Sequence, residues 1–434
     1  MVARSAVPWL NWWRIKANIF CSVWSGYARV TPGTDMMNST LPQPSADAQA
    51  HSTRLRALIE EEIRRAGGAL PFWRYMELCL YSPGLGYYSA GARKFGADGD
   101  FVTASELGDL FAQCIAQAVA PVLRELGEDA EFFEIGGGSG AFAEQMLIQL
   151  DNHGLLPARY ALLEPSADLR ERQRERLAAA LRPDLFARVV WLDGPPESEW
   201  RGLLFANEVL DALPTSRFVI RDGEVYEEYV ALDADHGFRA VERPADALLR
   251  AAVRHIEHDL LDGDGGGPLA DGYRSEALPQ LPYWVQAVGG LLREGAMLFV
   301  DYGYPRREFY LPERRDGTLM CHYRHRAHAD PYVLIGLQDL TASVDFTALA
   351  EAGVNAGFDL AGYCTQGQFL LANGLGSVLE AAQELPEIER YALAQQAKRL
   401  TLPGEMGECF QVMGFQRGVD ISAAFALGDL TRRL

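Results

Sequence analysis

Basic side chains are scarce in this sequence: 40 lysines and arginines stand against 59 aspartates and glutamates, a formal net charge of −19. Proteins that work on nucleic acid neutralise its phosphates with a basic face. Nucleic acid is therefore excluded as the main partner, while a basic protein substrate is compatible. Cysteine is also sparse. Cys21, Cys79, Cys114, Cys321, Cys364 and Cys409 show no C-x-x-C spacing, which argues against a disulfide framework or a zinc site and for reduced thiols in a reducing compartment. No apolar run reaches the ~18 residues that a membrane-spanning helix needs, and no internal repeat is visible. The first 34 residues lack acidic side chains altogether, yet hold Trp9, Trp12, Trp13 and Trp24 with Arg4, Arg14, Lys16 and Arg29. They also lack the apolar run and small-residue cleavage site of a secretory leader. Residues 1–50 are expected to be a disordered or non-native extension. A targeting peptide, a surface-binding segment, or a true start near Met36 or Met37 are the alternatives.

What the chain does have is 434 residues, 48% of them hydrophobic and 23% charged, enough for a large core and more than one lobe. Its most informative stretch is Glu131-Phe-Phe-Glu-Ile-Gly-Gly-Gly-Ser-Gly140, an apolar strand running into glycines, followed by a predicted helix over 141–150. Gly136, Gly138 and Gly140 can take positive φ and leave the backbone bare, with helix N–H groups aimed at the same spot. Two cofactor readings compete. Gly136-x-Gly138-x-x-Ala141, with Glu164 about 20 residues on, fits a dinucleotide fingerprint. E-x-G-x-G-x-G beginning at Glu134 fits a site for S-adenosyl-L-methionine (SAM), where a carboxylate suits a cationic ligand and would repel a pyrophosphate. A tight turn with no ligand is the third reading.

From Glu131 onward strands alternate with helices: strands over 131–135, 160–163, 187–192, 202–206 and 296–300, helices over 141–150 and 167–181. Such alternation implies an α/β fold with a parallel sheet. Upstream, amphipathic helices are predicted over 52–65, with Leu55, Leu58, Ile59 and Ile63 on one face, and over 109–126. Phe218 to Tyr226 reads as a hairpin turning at Asp222-Gly223. The interval 242–292 breaks the alternation with a helix over 245–261 and an Asp262-Gly-Asp-Gly-Gly-Gly267 linker, and is expected to be an inserted helical lobe. After an irregular stretch to about Asp339 come a helix opening at Asp345 and two further strands, within 358–371 and over 409–416. The resulting division is an N-terminal helical and loop lobe (51–128), a first part of the cofactor-binding core (129–241), the insertion (242–292), and a second part of the core with C-terminal helices (293–434).

Ligands of such sheets lie at the carboxyl ends of the strands. Strand by strand, those ends carry Glu134, then Glu164 with Ser166, then Asp193, then Asn207, Glu208 and Asp211, then Asp301 with Tyr302 and Tyr304. Glu164 can accept both ribose hydroxyls, and Asp193 stands where an adenine amine would be held. Each could also be a helix cap or surface carboxylate, and Asp211 could simply brace the following turn. Tyr302 and Tyr304 suit a substrate channel or ordinary packing equally. Cys321-His-Tyr-Arg-His-Arg-Ala-His328 invites a metal reading, but no carboxylate or cysteine pattern completes a site, so no metal is assigned and a loop packed over the active site is expected. Glu171 to Arg176 reads as a solvated helix face.

The motifs together carry a resemblance. The chain is similar to the MidA-like methyltransferases through Tyr81-Ser-Pro-Gly-Leu-Gly-Tyr-Tyr88, Lys94-Phe-Gly-Ala-Asp-Gly-Asp-Phe-Val-Thr103, Glu134 to Gly140, and Ala206-Asn-Glu-Val-Leu-Asp-Ala-Leu-Pro214. Further matches are Asp301-Tyr-Gly-Tyr-Pro305, Gly317-Thr-Leu319, Gly336-Leu-Gln-Asp-Leu-Thr341 and Met406-Gly-Glu408. Members of that family include a mitochondrial complex I assembly factor that methylates an arginine. The resemblance implies a class I, Rossmann-like sheet of seven mostly parallel strands with added helical lobes. It also implies SAM held by Glu134, Gly136, Gly138, Gly140, Glu164, Ser166 and Asp193, and catalysis by Asn207, Glu208 and Asp211. The implied substrate is a protein arginine, on a respiratory-complex subunit by analogy, with a homodimer left open. A cytoplasmic location is implied, or the mitochondrial matrix for a eukaryotic chain. A catalytically silent assembly factor of the same fold, and an oxidoreductase, are the competing functions. One departure stands out: Thr103-Ala-Ser105-Glu106 replaces the family's usual Thr-Ala-Pro-Glu.

Overall fold

The computed structural model describes residues 41–89, 103–235, 237–261 and 269–434. The N-terminal tryptophan cluster, nearly all of the 94–103 motif and the 262–267 linker lie outside the described residues. Seven strands run along the central sheet, β1 (Glu131–Ile135), β2 (Arg159–Leu163), β3 (Val189–Leu192), β4 (Trp200–Asn207), β5 (Leu292–Tyr304), β6 (Asp359–Thr365) and β7 (Phe410–Arg417), and an eighth, the two-residue Val344–Asp345, pairs in parallel with the end of β5. The spatial order of the seven is β6-β7-β5-β4-β1-β2-β3. β1, β2, β3, β4 and β5 pair in parallel, while β7 runs antiparallel to both β5 and β6. This is the class I arrangement.

The alternation of apolar side chains along β1 explains why both faces are covered. Phe132 packs with the helices Leu110–Leu126 and Ala141–Asn152 on one face, and Phe133 packs with the helices Leu281–Gly289 and Phe346–Asn355 on the other. Phe142 stacks on Phe205 of β4 at 4.3 Å and 15°. Fully burying each such ring contributes roughly 2–3 kcal/mol, so the strand ends beneath the site rest on a stiff platform.

The structure corrects three sequence readings. The helix predicted from Ser52 begins at Ala46, capped by the Ser45 hydroxyl, so the last residues of the expected extension are helical. The 242–292 stretch is not purely helical. Its helix Ala247–Leu261 packs on a five-stranded antiparallel sheet built from Ser216–Arg221, Glu224–Leu232, Phe238–Pro244, Arg274–Ala277 and the distant Ala69–Pro71. The hairpin turn at Asp222 (φ 51°) and Gly223 (φ 76°) starts that sheet as expected, and Ala69–Pro71 pairs with Ala231–Tyr229 to tie the N-terminal lobe to it. Finally, the stretch before Asp339 is not irregular. Met320–Tyr323, Arg326–His328 and Asp339–Thr341 form a small antiparallel sheet that stands beside the carboxyl ends of the central strands.

Candidate active site

A cavity of about 540 Å³ opens at the carboxyl ends of β1, β2, β4 and β5. Gly136 (φ 69°) and Gly138 (φ 52°) line it in the left-handed region, and a Cβ on Gly136 would come within 2.8 Å of a Val209 methyl. Only glycine lets this loop turn so close to the loop after β4. Gly140 caps the helix Ala141–Asn152 and packs on Gln173 outside the cavity wall.

Glu134 ends β1 almost fully buried, accepting one hydrogen bond from the Tyr160 hydroxyl at 2.7 Å. Burial pushes its carboxyl up to about 8; the Tyr160 bond opposes that rise and the nearby Glu164 adds to it. A carboxylate in this state gains most from a cationic ligand. Glu164, at the end of β2, lines the cavity and accepts from the Ser166 amide at 2.9 Å. The Ser166 hydroxyl is occupied in capping the next helix through the Leu169 amide and is not part of the wall. Asp193 sits at the rim, 95% exposed, and pairs with Arg170 at 2.6 Å.

Asn207, Glu208 and Asp211 meet in the same cavity. The Asn207 amide donates to Glu208 at 3.1 Å, and the Tyr302 hydroxyl donates to Asp211 at 2.6 Å. Enclosure pushes Glu208 up to about 8, Asp211 adds to the rise, and hydrogen bonds from Asn207 and the Ala104 backbone oppose it. Asp211 is raised in the same way by burial, against the Tyr302 bond. Backbone hydrogen bonds from Ala212 and from Asp211 itself also oppose the rise. Of the two tyrosines left open by the sequence, Tyr302 faces the cavity; Tyr304 lies outside the wall beneath the Arg314 guanidinium.

Asp301, expected only as a strand-end residue, and three residues outside the expected set, Gln173, Arg170 and Asp339, also shape the site. Asp301 accepts the amides of Val209, Leu210 and Asp211 on Oδ2 and that of Tyr302 on Oδ1, pinning the loop after β4. Gln173, inside the run read as a solvated face, is fully buried. It donates to the Gly138 carbonyl at 2.9 Å and accepts from the Trp191 indole at 2.8 Å. An uncharged glutamine in a run of arginines and glutamates was the available signal. Arg170 clamps the Glu164 and Leu192 carbonyls. Asp339 reaches the cavity from the small sheet, where Tyr88 donates to it. In the variant motif, Ser105 sits inside a single 3₁₀ turn bonded to the Thr103 hydroxyl at 3.0 Å and does not cap it. The histidine segment is a hairpin turning at Arg324 and His325, which brings His322 and His325 to the cavity.

The donor set separates the two cofactor readings. Eight carboxylates and two arginines line the cavity. Even with Glu134 and Glu208 protonated, the other six carboxyls outnumber the two arginines, so a pyrophosphate is disfavoured, whereas the sulfonium and ammonium groups of SAM are attracted and favour ionisation of the buried pair. An adenosyl ribose on Glu164 gives the expectation that Glu164→Ala weakens binding of S-adenosyl-homocysteine at least tenfold by calorimetry, and an unchanged affinity would remove Glu164 from that role.

Comparison with known proteins agrees. Residues 114–364 match a family of S-adenosyl-L-methionine-dependent methyltransferases. A Burkholderia thailandensis protein solved bound to S-adenosyl-homocysteine is 43% identical, with a TM-score of 0.82 over 91% of this chain and 100% of that one. The mitochondrial protein arginine methyltransferase NDUFAF7 homolog of Drosophila melanogaster is 26% identical, covering 89% of this chain and 91% of the relative. The mitochondrial protein arginine methyltransferase NDUFAF7 of Danio rerio is 27% identical, over 80% and 83%.

Proposed function

The chain belongs to the MidA-like class I SAM-dependent methyltransferases, and we propose that the nucleophile it methylates is an arginine side chain of a protein. The observation that carries this reading is the pair of buried carboxyls Glu208 and Asp211, which line the cavity side by side and are held there by Asn207 and Tyr302. A guanidinium, planar and with five N–H donors, is the complement of such a pair. The names of the relatives, protein arginine methyltransferases, support the same substrate. A respiratory-complex subunit as the target, and a location in the cytoplasm or the mitochondrial matrix, follow from the resemblance alone.

When bound, SAM supplies an activated methyl group on a sulfonium, so the protein's task is alignment and removal of water. Glu134 and the backbone of Gly136 and Gly138 would hold its methionine end, and Glu164 its ribose. Arg170 shapes the far end by fixing the Glu164 and Leu192 carbonyls. Glu208 and Asp211 would pair with guanidinium nitrogens and turn the remaining one toward the methyl. As that nitrogen gains carbon it releases one proton, and the Glu208 carboxylate would accept it. Tyr302 keeps Asp211 in place.

Incubating the purified protein with methyl-labelled SAM and cell extract tests the reading. A labelled protein band whose acid hydrolysate yields methylarginine is expected, and the band's identity names the target. Label recovered in methyl-lysine, in nucleic acid or only in small molecules would overturn it.

A further inference from the structure

The helix Ala167–Ala180 presents Arg170, Gln173 and Arg176, at three-residue spacing, to the loops that line the cavity. Arg170 holds the Glu164 and Leu192 carbonyls, and Arg176 reaches the Ser139 hydroxyl at 3.3 Å and Glu144 at 2.6 Å. Gln173, between them, is fully buried and stands behind the wall. Its Nε2 donates to the Gly138 carbonyl at 2.9 Å, and its Oε1 accepts from the Trp191 indole at 2.8 Å. Turning the amide over would set oxygen against oxygen and N–H against N–H, so it stands one way. The two contacts also account for the residue type. Arginine has no acceptor for the indole and an ionised glutamate has no donor for the carbonyl, whereas an amide supplies both without burying a charge.

Trp191 lies on β3, and residues 193–195 just past that strand line the same cavity. Gln173 therefore joins two walls, the glycine loop and the segment after β3. The fit is close: a Cβ on Gly137 would come within 3.3 Å of the Gln173 Nε2, and one on Gly140 within 3.4 Å of its Cγ. In a trans peptide the carbonyl and the following N–H point opposite ways. Holding the Gly138 oxygen on the helix thus turns the Ser139 N–H to the other side, where Ser139 lines the cavity. We infer that Gln173 is a positioning residue for the cofactor: its amide fixes the Gly138 peptide and ties the glycine loop to β3, so that the loop meets SAM already in shape. This rests on the cofactor site and not on the arginine reading. The loop after β4 is pinned separately by Asp301, so the effect of Gln173 falls on cofactor binding.

The test uses the full chain, calorimetry with S-adenosyl-homocysteine, and amide hydrogen exchange. Gln173→Met keeps the length and the burial but removes both hydrogen bonds. It is expected to weaken S-adenosyl-homocysteine about tenfold at unchanged stoichiometry. Exchange should quicken across residues 136–141 while the helix 167–180 keeps its protection. Trp191→Phe removes the indole N–H, leaves the bond to Gly138, and guards against loss of folding in the first variant. It should weaken binding about threefold, with a smaller change in the same loop. Wild-type affinity and wild-type loop exchange in the variants that fold overturn the role of Gln173. So does a fall in stoichiometry with the affinity of the remaining sites intact, or exchange that quickens equally in the helix, because each marks a residue that only supports the fold.

Discussion

Asp301→Ala is expected to lower the stability of the protein by roughly 3–5 kcal/mol, and to abolish methyl transfer in the fraction that still folds. The side chain is 1% exposed, and its two oxygens accept four backbone amides: Leu210 and Tyr302 at 2.9 Å, Val209 at 3.2 Å and Asp211 at 3.3 Å. Each of those amides, left buried without an acceptor, costs about 1–3 kcal/mol, and relaxation of the loop recovers part of the sum. Relaxation is also what destroys function, because the released segment carries Glu208 and Asp211. Denaturant unfolding measures the first effect; single-turnover transfer and S-adenosyl-homocysteine titration measure the second. Transfer should fall at least a hundredfold while the titrated affinity, set by the ends of β1 and β2, changes less than about threefold. A folded variant with wild-type transfer would show that the loop needs no such brace. Asp301→Asn keeps shape but can present only one oxygen to the donors, so its stability should lie between those of the wild type and the alanine variant.

The asymmetry between these residues shows what was readable in the sequence. Glu134, Glu164, Asn207 and Glu208 could be found because each stands at the tip of a strand announced by a short local pattern, and the topology of a parallel sheet gathers strand tips at one end. The glycine run was readable for the same reason, strand and helix being contiguous. Ser166 was placed near the right spot, but a serine preceding Ala-Asp-Leu is first of all a helix cap, and its hydroxyl is used that way. Asp193 was assigned from strand position alone, and the structure turns it to the rim. What stayed hidden depends on long-range pairing. Ala69–Pro71 joins a sheet more than 140 residues downstream, and the strand Asp339–Thr341 gets its partners from a hairpin whose histidines drew attention as a metal motif. Weak, short strands of this kind are stabilised by their neighbours more than by their own propensities, so no local signal marks them. Gln173 was concealed by its charged neighbours, which do face solvent while it alone turns inward.

Replacing Glu208 is expected to reduce transfer about 10²–10⁴-fold, and the backbone offers a way to separate that loss from damage to the fold. Glu208 is a non-glycine residue at φ 54°, held by its amide bond to the Val300 carbonyl at 2.9 Å. The left-handed conformation costs roughly 1 kcal/mol for a residue with a Cβ. Glu208→Gly removes that strain together with a carboxylate crowded by Asp211 and Asp339, so the glycine variant should be as stable as the wild type or more so, and inactive. Glu208→Gln keeps the side-chain size and the strain while losing the proton acceptor, and should be equally inactive. The acidity of the group fixes the pH dependence. With its carboxyl pushed up to about 8 from an ordinary 4.5, Glu208 is protonated in the free enzyme at neutral pH, so kcat/KM should climb as pH rises through about 8. The linkage to stability has the opposite sign: the folded state binds this proton more tightly than the unfolded state, so the contribution is full below pH 4.5 and is lost as pH rises toward 8. Glu134 titrates over the same range, and for that reason the informative quantity is the difference between wild type and Glu208→Gln at each pH. That difference should favour the wild type least at pH 8 and above, where its enclosed carboxylate is ionised. A pH profile of kcat/KM identical in the wild type and a residually active Glu208→Gln would assign the proton transfer to another group, and Asp211, the carboxylate beside it, would be the next to replace.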